Sequence, residues 1–97
     1  MQIQIIAVGK IKEKFLQEGI AEYEKRLRPY VNLQIRELAE EKRHASAPVS
    51  AEKAAMEKEG ERFLAAISSG SFIIALDLKG ISWSSTELAE FLRQRDN

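Results

Sequence analysis

No cysteine occurs in the 97 residues, which excludes a disulfide framework, a thiolate nucleophile and a cysteine-based zinc site. Histidine is nearly as scarce: His44 is the only one, and no acid is fixed beside it by spacing, so it reads as a loop residue rather than a base or ligand. Charge of one sign is also missing. Fifteen Lys and Arg face fifteen Asp and Glu, which argues against a free-standing domain that holds nucleic acid by broad phosphate neutralisation. The bias along the chain is slight, nine bases to seven acids over residues 1–44 and six to eight over 45–97.

Long hydrophobic runs are absent too. Nothing approaches the ~18 apolar residues of a membrane span, and Met1-Gln2 leads into Ile3-Gln4-Ile5-Ile6 without a basic region or a small-residue cleavage site. A soluble, cytoplasmic protein without a membrane segment is therefore expected. Glycine-rich phosphate loops are missing as well: Val8-Gly9-Lys10 holds a single glycine, neither a dinucleotide fingerprint nor a P-loop. A chain of this length buries only somewhat over ~60% of its unfolded surface, so the core is modest.

What is present alternates in period. Ile3, Ile5 and Val8 alternate with Gln2, Gln4 and Ala7 around Ile6, which predicts a strand ended by Gly9. Phe15, Leu16, Ile20, Tyr23 and Leu27 recur at helical spacing through Lys12 to Arg28, with Gly19 a tolerated weak point and Pro29 just past the end. Val31, Leu33 and Ile35 alternate with Asn32, Gln34 and Arg36 as a second strand with one polar face, suited to a sheet edge. Residues 39–49, charged and small with one Pro, read as a solvated, mobile loop.

A second helix follows, with Ser50 as its expected cap and Met56, Phe63, Leu64 and Ile67 as its inward positions. Gly60 would mark a close backbone approach, and Ser68-Ser69-Gly70 the end. Phe72 to Leu78, FIIALDL, is almost continuously apolar, as expected for a third strand covered on both faces. Ser84 and Glu87 have capping-box spacing, and Trp83 and Leu88 that of a hydrophobic staple. Strands alternating with helices predict parallel strands joined by crossovers: an α/β chain in βαβαβα order.

Asp77, at the carboxyl end of the third strand before Leu78-Lys79-Gly80, could bind a ribose hydroxyl, a metal or a phosphoryl group, or simply accept backbone N–H bonds of its own turn. Gly9 and Lys10 would line the same crevice, and Lys10, Lys12 and Lys14 could meet phosphates or stand as solvated charges. Ser84 and Ser85 lack a nucleophile elbow, and Ser84 is better explained as a cap. In YEKRLRPY, three bases and two tyrosines gather near a helix end; the helix dipole accounts for the bases, while tyrosines among bases could also stack on RNA.

Taken jointly, QIIAVGKIKEKFLQEGIAEYEKRLRPY, EKEGERFLAAI and FIIALDLKGISWSSTELAEF resemble the ribosomal large subunit methyltransferase H family over the entire chain, at the motifs VGK, YEKRL, EGER and LDxxGxxxSS. The resemblance implies a SPOUT-class α/β-knot fold and a homodimer that uses S-adenosyl-L-methionine to methylate N3 of a pseudouridine in 23S rRNA, with no metal. It also implies that Leu76 contacts the methyl donor, supported by the Asp77 to Gly80 turn. The family's glycine-rich loop, knot and C-terminal tail fall outside residues 1–97. The expectation is thus a single α/β domain, 1–97, truncated before the knot, with little cofactor affinity of its own and no residue that stands out as the catalytic base.

Two other readings compete with this one. A non-catalytic α/β module would bind a partner or dimerise and ignore S-adenosyl-L-methionine. A receiver-like phospho-acceptor would use Asp77, but it lacks the acidic pair expected after the first strand, where Val8-Gly9-Lys10 stands.

Overall fold

A computed structural model describes residues 1–43 and 46–96. Strand β1, Gln2–Val8, runs into helix α1, Lys14–Leu27, and returns as β2, Asn32–Leu38; α2, Val49–Ala66, and α3, Ser85–Arg95, follow. The two strands pair in parallel from Gln2 opposite Asn32 to Val8 opposite Leu38, the α/β arrangement that alternation of strand and helix predicts. The ladder is prolonged at both ends, by Asn32 N donating to Met1 O at 3.0 Å and Gly9 N donating to Leu38 O at 2.8 Å. Gly9 takes φ +90°, a left-handed conformation that a side chain would strain, so it is the residue that lets β1 stop and turn.

Helix α1 packs on β2, and α2 contacts β1. The start of α2 corrects the expected Ser50 cap. Pro48, with φ −67°, occupies the N-cap position without a side-chain cap bond, and its carbonyl accepts from Ala51 N at 3.0 Å. Proline's fixed φ suits a helix entry, so the helix begins before Ser50.

The inward face of α2 also differs from the apolar stripe read from the sequence. Met56 and Leu64 are exposed, Phe63 and Ile67 half-buried, while Ala55 and Ala66 are the buried hydrophobic residues. Ala55, Glu59, Arg62 and Ala66 recur at i, i+4, i+7 and i+11, a stripe of small residues flanking a charged pair. The charged pair faces the loop before α2 because that loop supplies complementary charges, described below. Gly60 has no atom within 4 Å of the position a Cβ would take, so no close approach accounts for it.

The largest correction concerns Phe72 to Leu78. The segment does not join the sheet, whose strand order is β1-β2 alone among the described residues. Its side chains stand in solvent, with Leu76 at 94% and Leu78 at 106% relative exposure. An apolar strand of this kind is held by backbone ladders on its edges and helices over its faces. Phe72 lies with its ring 5.7 Å from Phe91 and 3.8 Å beneath the Arg95 guanidinium, yet it too stays exposed.

The capping box at the start of α3 is as read. Ser84 Oγ accepts from Glu87 N at 3.1 Å, and Glu87 Oε1 accepts from Ser84 N at 3.1 Å, a complete capping box worth about 1 kcal/mol. Trp83 packs on Phe91, one turn beyond Leu88, with ring centroids 5.1 Å apart.

Candidate functional site

Two places carry polar organisation. The first is the turn after Leu76. Asp77 Oδ1 accepts from Lys79 N at 2.9 Å, and Asp77 O accepts from Gly80 N at 3.0 Å. The carboxylate thus shapes its own turn, the simpler of the roles its position allowed. A Cβ on Gly80 would lie 3.1 Å from Asp77 O, so the turn has little room for a side chain there. Leu76 points its side chain into solvent next to the turn.

No hydrogen bond or ion pair links Asp77 to Gly9 or Lys10 among the described residues. The nearest side chain to Gly9 is instead the Glu40 carboxylate, 3.5 Å from where a Cβ would be. Beyond Gly9, Ile11 N donates to Glu37 Oε2 at 3.0 Å and Gln17 Nε2 donates to Ile11 O at 2.6 Å, so residues 9–13 are fixed by β2 and α1. His44 lies outside the described residues.

The second place was not singled out from the sequence. Arg43 donates through Nε to both Glu52 oxygens and through its terminal nitrogens to both Glu59 oxygens, at 2.6 to 3.0 Å. Glu59 Oε2 also accepts from Glu41 N at 3.0 Å. Arg62 donates to Ala39 O at 2.9 Å and is paired with Glu41. Residues 39–43, expected as part of a mobile loop, are therefore clasped onto α2. The Arg43 guanidinium and the Glu41 backbone N–H hold the Glu59 carboxyl below its ordinary range, and Glu59 in turn raises Arg43. Opposite charges at residues 40–43 and 57–62 were the available signal; their pairing depends on a chain reversal that spacing does not reveal.

Chemically, the clasp is saturated by its own members, so it positions the chain rather than reacting. Among the described residues, no group of three or more His, Asp or Glu side chains is arranged to hold a metal, and no helix is long and apolar enough to cross a membrane.

A family profile described as "Predicted SPOUT methyltransferase" matches residues 1–97. The chain belongs to the SPOUT methyltransferase family. Within it, the chain is 53% identical over 97 residues to the ribosomal RNA large subunit methyltransferase H of Carboxydothermus hydrogenoformans, covering 99% of this chain and 60% of that protein. It is 60% identical over 89 residues to a protein of Methanoregula boonei provisionally given that name, covering 92% and 56% respectively. The protein of that name in Clostridium acetobutylicum is 45% identical over 92 residues, covering 95% and 58%. This SPOUT chain thus spans somewhat over half the length of the curated relatives it matches.

Small-molecule sites bury most of their ligand within concave walls. In this SPOUT chain, Leu76 and the Asp77 to Gly80 turn are open to solvent and enclose no such site.

Proposed function

We propose that this chain is the N-terminal part of a methyltransferase that transfers a methyl group from S-adenosyl-L-methionine to N3 of a pseudouridine in 23S rRNA, and that it acts as a cytoplasmic homodimer. The observation that carries this reading is the family match across residues 1–97, together with relatives whose names specify ribosomal RNA of the large subunit. Leu76 and the turn to Gly80 contribute one apolar wall and a backbone edge of the donor site.

Positioning of the two reacting atoms supplies much of the rate in such a transfer, and a single wall cannot impose it. The acceptor nitrogen must also lose a proton, and none of the described residues is a placed base for that step. The 97-residue chain alone is accordingly proposed to have little cofactor affinity and no turnover.

Isothermal titration with S-adenosyl-L-methionine tests this directly, comparing the 97-residue chain with a chain extended to the length of the relatives. Binding by the extended chain alone is expected. Binding by neither would sink the cofactor assignment. Binding by the short chain would show that Leu76 to Gly80 and their neighbours suffice, within one copy or across two.

A further inference from the structure

The end of α1 carries side chains that the fold does not use. Tyr23 and Arg26 stand one turn apart on α1, which Arg28 caps by donating its N to Glu24 O at 3.2 Å, and Tyr30 follows in a turn where its N donates to Leu27 O at 2.9 Å. At about 100° per residue the i, i+3 spacing puts Tyr23 and Arg26 within roughly 60° of one another around the helix, and Tyr30 lies in the turn that follows. Tyr23 is 65% exposed and Tyr30 78% exposed. Tyrosine usually buries its ring and keeps only the hydroxyl wet, so these two rings are free to meet a partner.

The charges around them are of the complementary kind. The Arg26 guanidinium lies over the Tyr23 ring, 5.5 Å from its centroid, while its Nε donates to Glu22 at 3.1 Å. Lys25 and Arg28 form no ion pair among the described residues. Arg28 and Tyr30 also border a shallow hollow with Glu24, Pro29 and Asn32. Exposed tyrosine rings beside Lys25 and Arg28 match a single-stranded nucleic acid, whose bases stack on rings while its phosphates meet Lys and Arg.

We propose that Tyr23, Arg26 and Tyr30, with Lys25 and Arg28, form an RNA-anchoring surface that stacks unpaired bases. It rests on the reading of this protein as acting on ribosomal RNA, and adds to it a contact distinct from the donor turn. The surface sits at the amino end of the parallel sheet, where Asn32 meets Met1. The carboxyl end, at Gly9 and Leu38, lies a seven-residue strand away, roughly 20 Å at ~3.3 Å per residue. The surface includes none of the residues Leu76 to Gly80, so it governs affinity and not the chemistry.

Fluorescence anisotropy with a labelled single-stranded RNA of about 12 nucleotides, within the usual range of site sizes, is the test. The protein is expected to bind this strand better than a blunt RNA duplex. Tyr23→Ala and Tyr30→Ala should each weaken binding about tenfold or more, whereas Tyr23→Phe and Tyr30→Phe, which keep the ring, should stay near the parent. Arg28→Gln and Lys25→Gln should each flatten the salt dependence by about 0.7 in logarithmic slope.

Thermal melting should be unchanged in all of these, since both rings are exposed. RNA binding that is absent, indifferent to the alanine variants, or lost equally in the phenylalanine variants would overturn the proposal. A protein that binds RNA through these rings yet takes up no S-adenosyl-L-methionine at full length would support the proposal while sinking the methyltransferase reading. Cofactor uptake with RNA binding indifferent to Tyr23 and Tyr30 would do the reverse.

Discussion

Glu59 shows how much a single residue can depend on where the chain turns. By composition it is one acid among several in EKEGER; in the structure its side chain is only 12% exposed and accepts from Arg43 and from the backbone of Glu41. Its depressed pKa means that the folded form holds the carboxylate more tightly than the unfolded chain does. The stabilisation is therefore complete above the ordinary glutamate value of about 4.3 and is lost as pH falls through that value toward the lower folded one. Glu90, held down by Arg93, adds in the same direction from the surface of α3.

Glu59→Gln should consequently lower the melting temperature at neutral pH and flatten its decline between about pH 6 and about pH 3, where the clasp of the parent is released. Circular dichroism melts across that range read both effects. Equal pH dependence in parent and variant would mean that the clasp contributes nothing to stability. Asp77 makes the opposite point. Its role followed from local grammar alone, because an aspartate two residues before a backbone N–H bonds its own turn wherever that turn lies.

At the scale of elements, local signals were reliable where they referred to local partners. The capping box of α3 joins residues three apart, and β1, α1 and β2 lie within a residue or two of their expected bounds. The segment Phe72 to Leu78 failed the same test for a reason internal to the strand. A continuous apolar run specifies burial, but a strand is completed by hydrogen bonds from other segments, and neither β1 nor β2 provides them here.

Two measurements separate a solvated segment from a buried strand. Amides of 73–78 should exchange with solvent rapidly while those of Ile3–Val8 are protected. Leu78→Lys should change stability by no more than about 0.5 kcal/mol, against the roughly 2–5 kcal/mol expected where a large apolar side chain is removed from a core. Protection across 73–78, or a cost in the core range, would restore the third strand.

Across the whole molecule, the exposed apolar side chains and the shape agree. The radius of gyration is 16.1 Å and the extents are 46 × 31 × 26 Å, whereas a compact domain of this length has a radius of roughly 12–13 Å. Phe15, Leu76, Leu78 and Ile81 are all well exposed, and β1 keeps one edge without a ladder among the described residues. Open edges and apolar patches favour pairing with other chains. Sedimentation velocity should show the 97-residue chain associating as concentration rises, and the same chain extended to the relatives' length should form one defined species. A monodisperse monomer at all concentrations would contradict this.

The amino-acid order alone was enough for the parallel βαβ unit, for the capped third helix and for the Asp77 turn, because each rests on periodicity or on partners a few residues apart, and its motifs taken jointly carried the family resemblance. The clasp of Arg43 and Arg62 on Glu52, Glu59 and Glu41, the burial of Ala55 and Ala66 instead of Met56 and Leu64, and the solvent exposure of Leu76 emerged only in three dimensions. Those features depend on which distant segments meet. A side chain's hydrophobicity states what it would gain from burial, and only the packed chain decides whether anything is there to bury it.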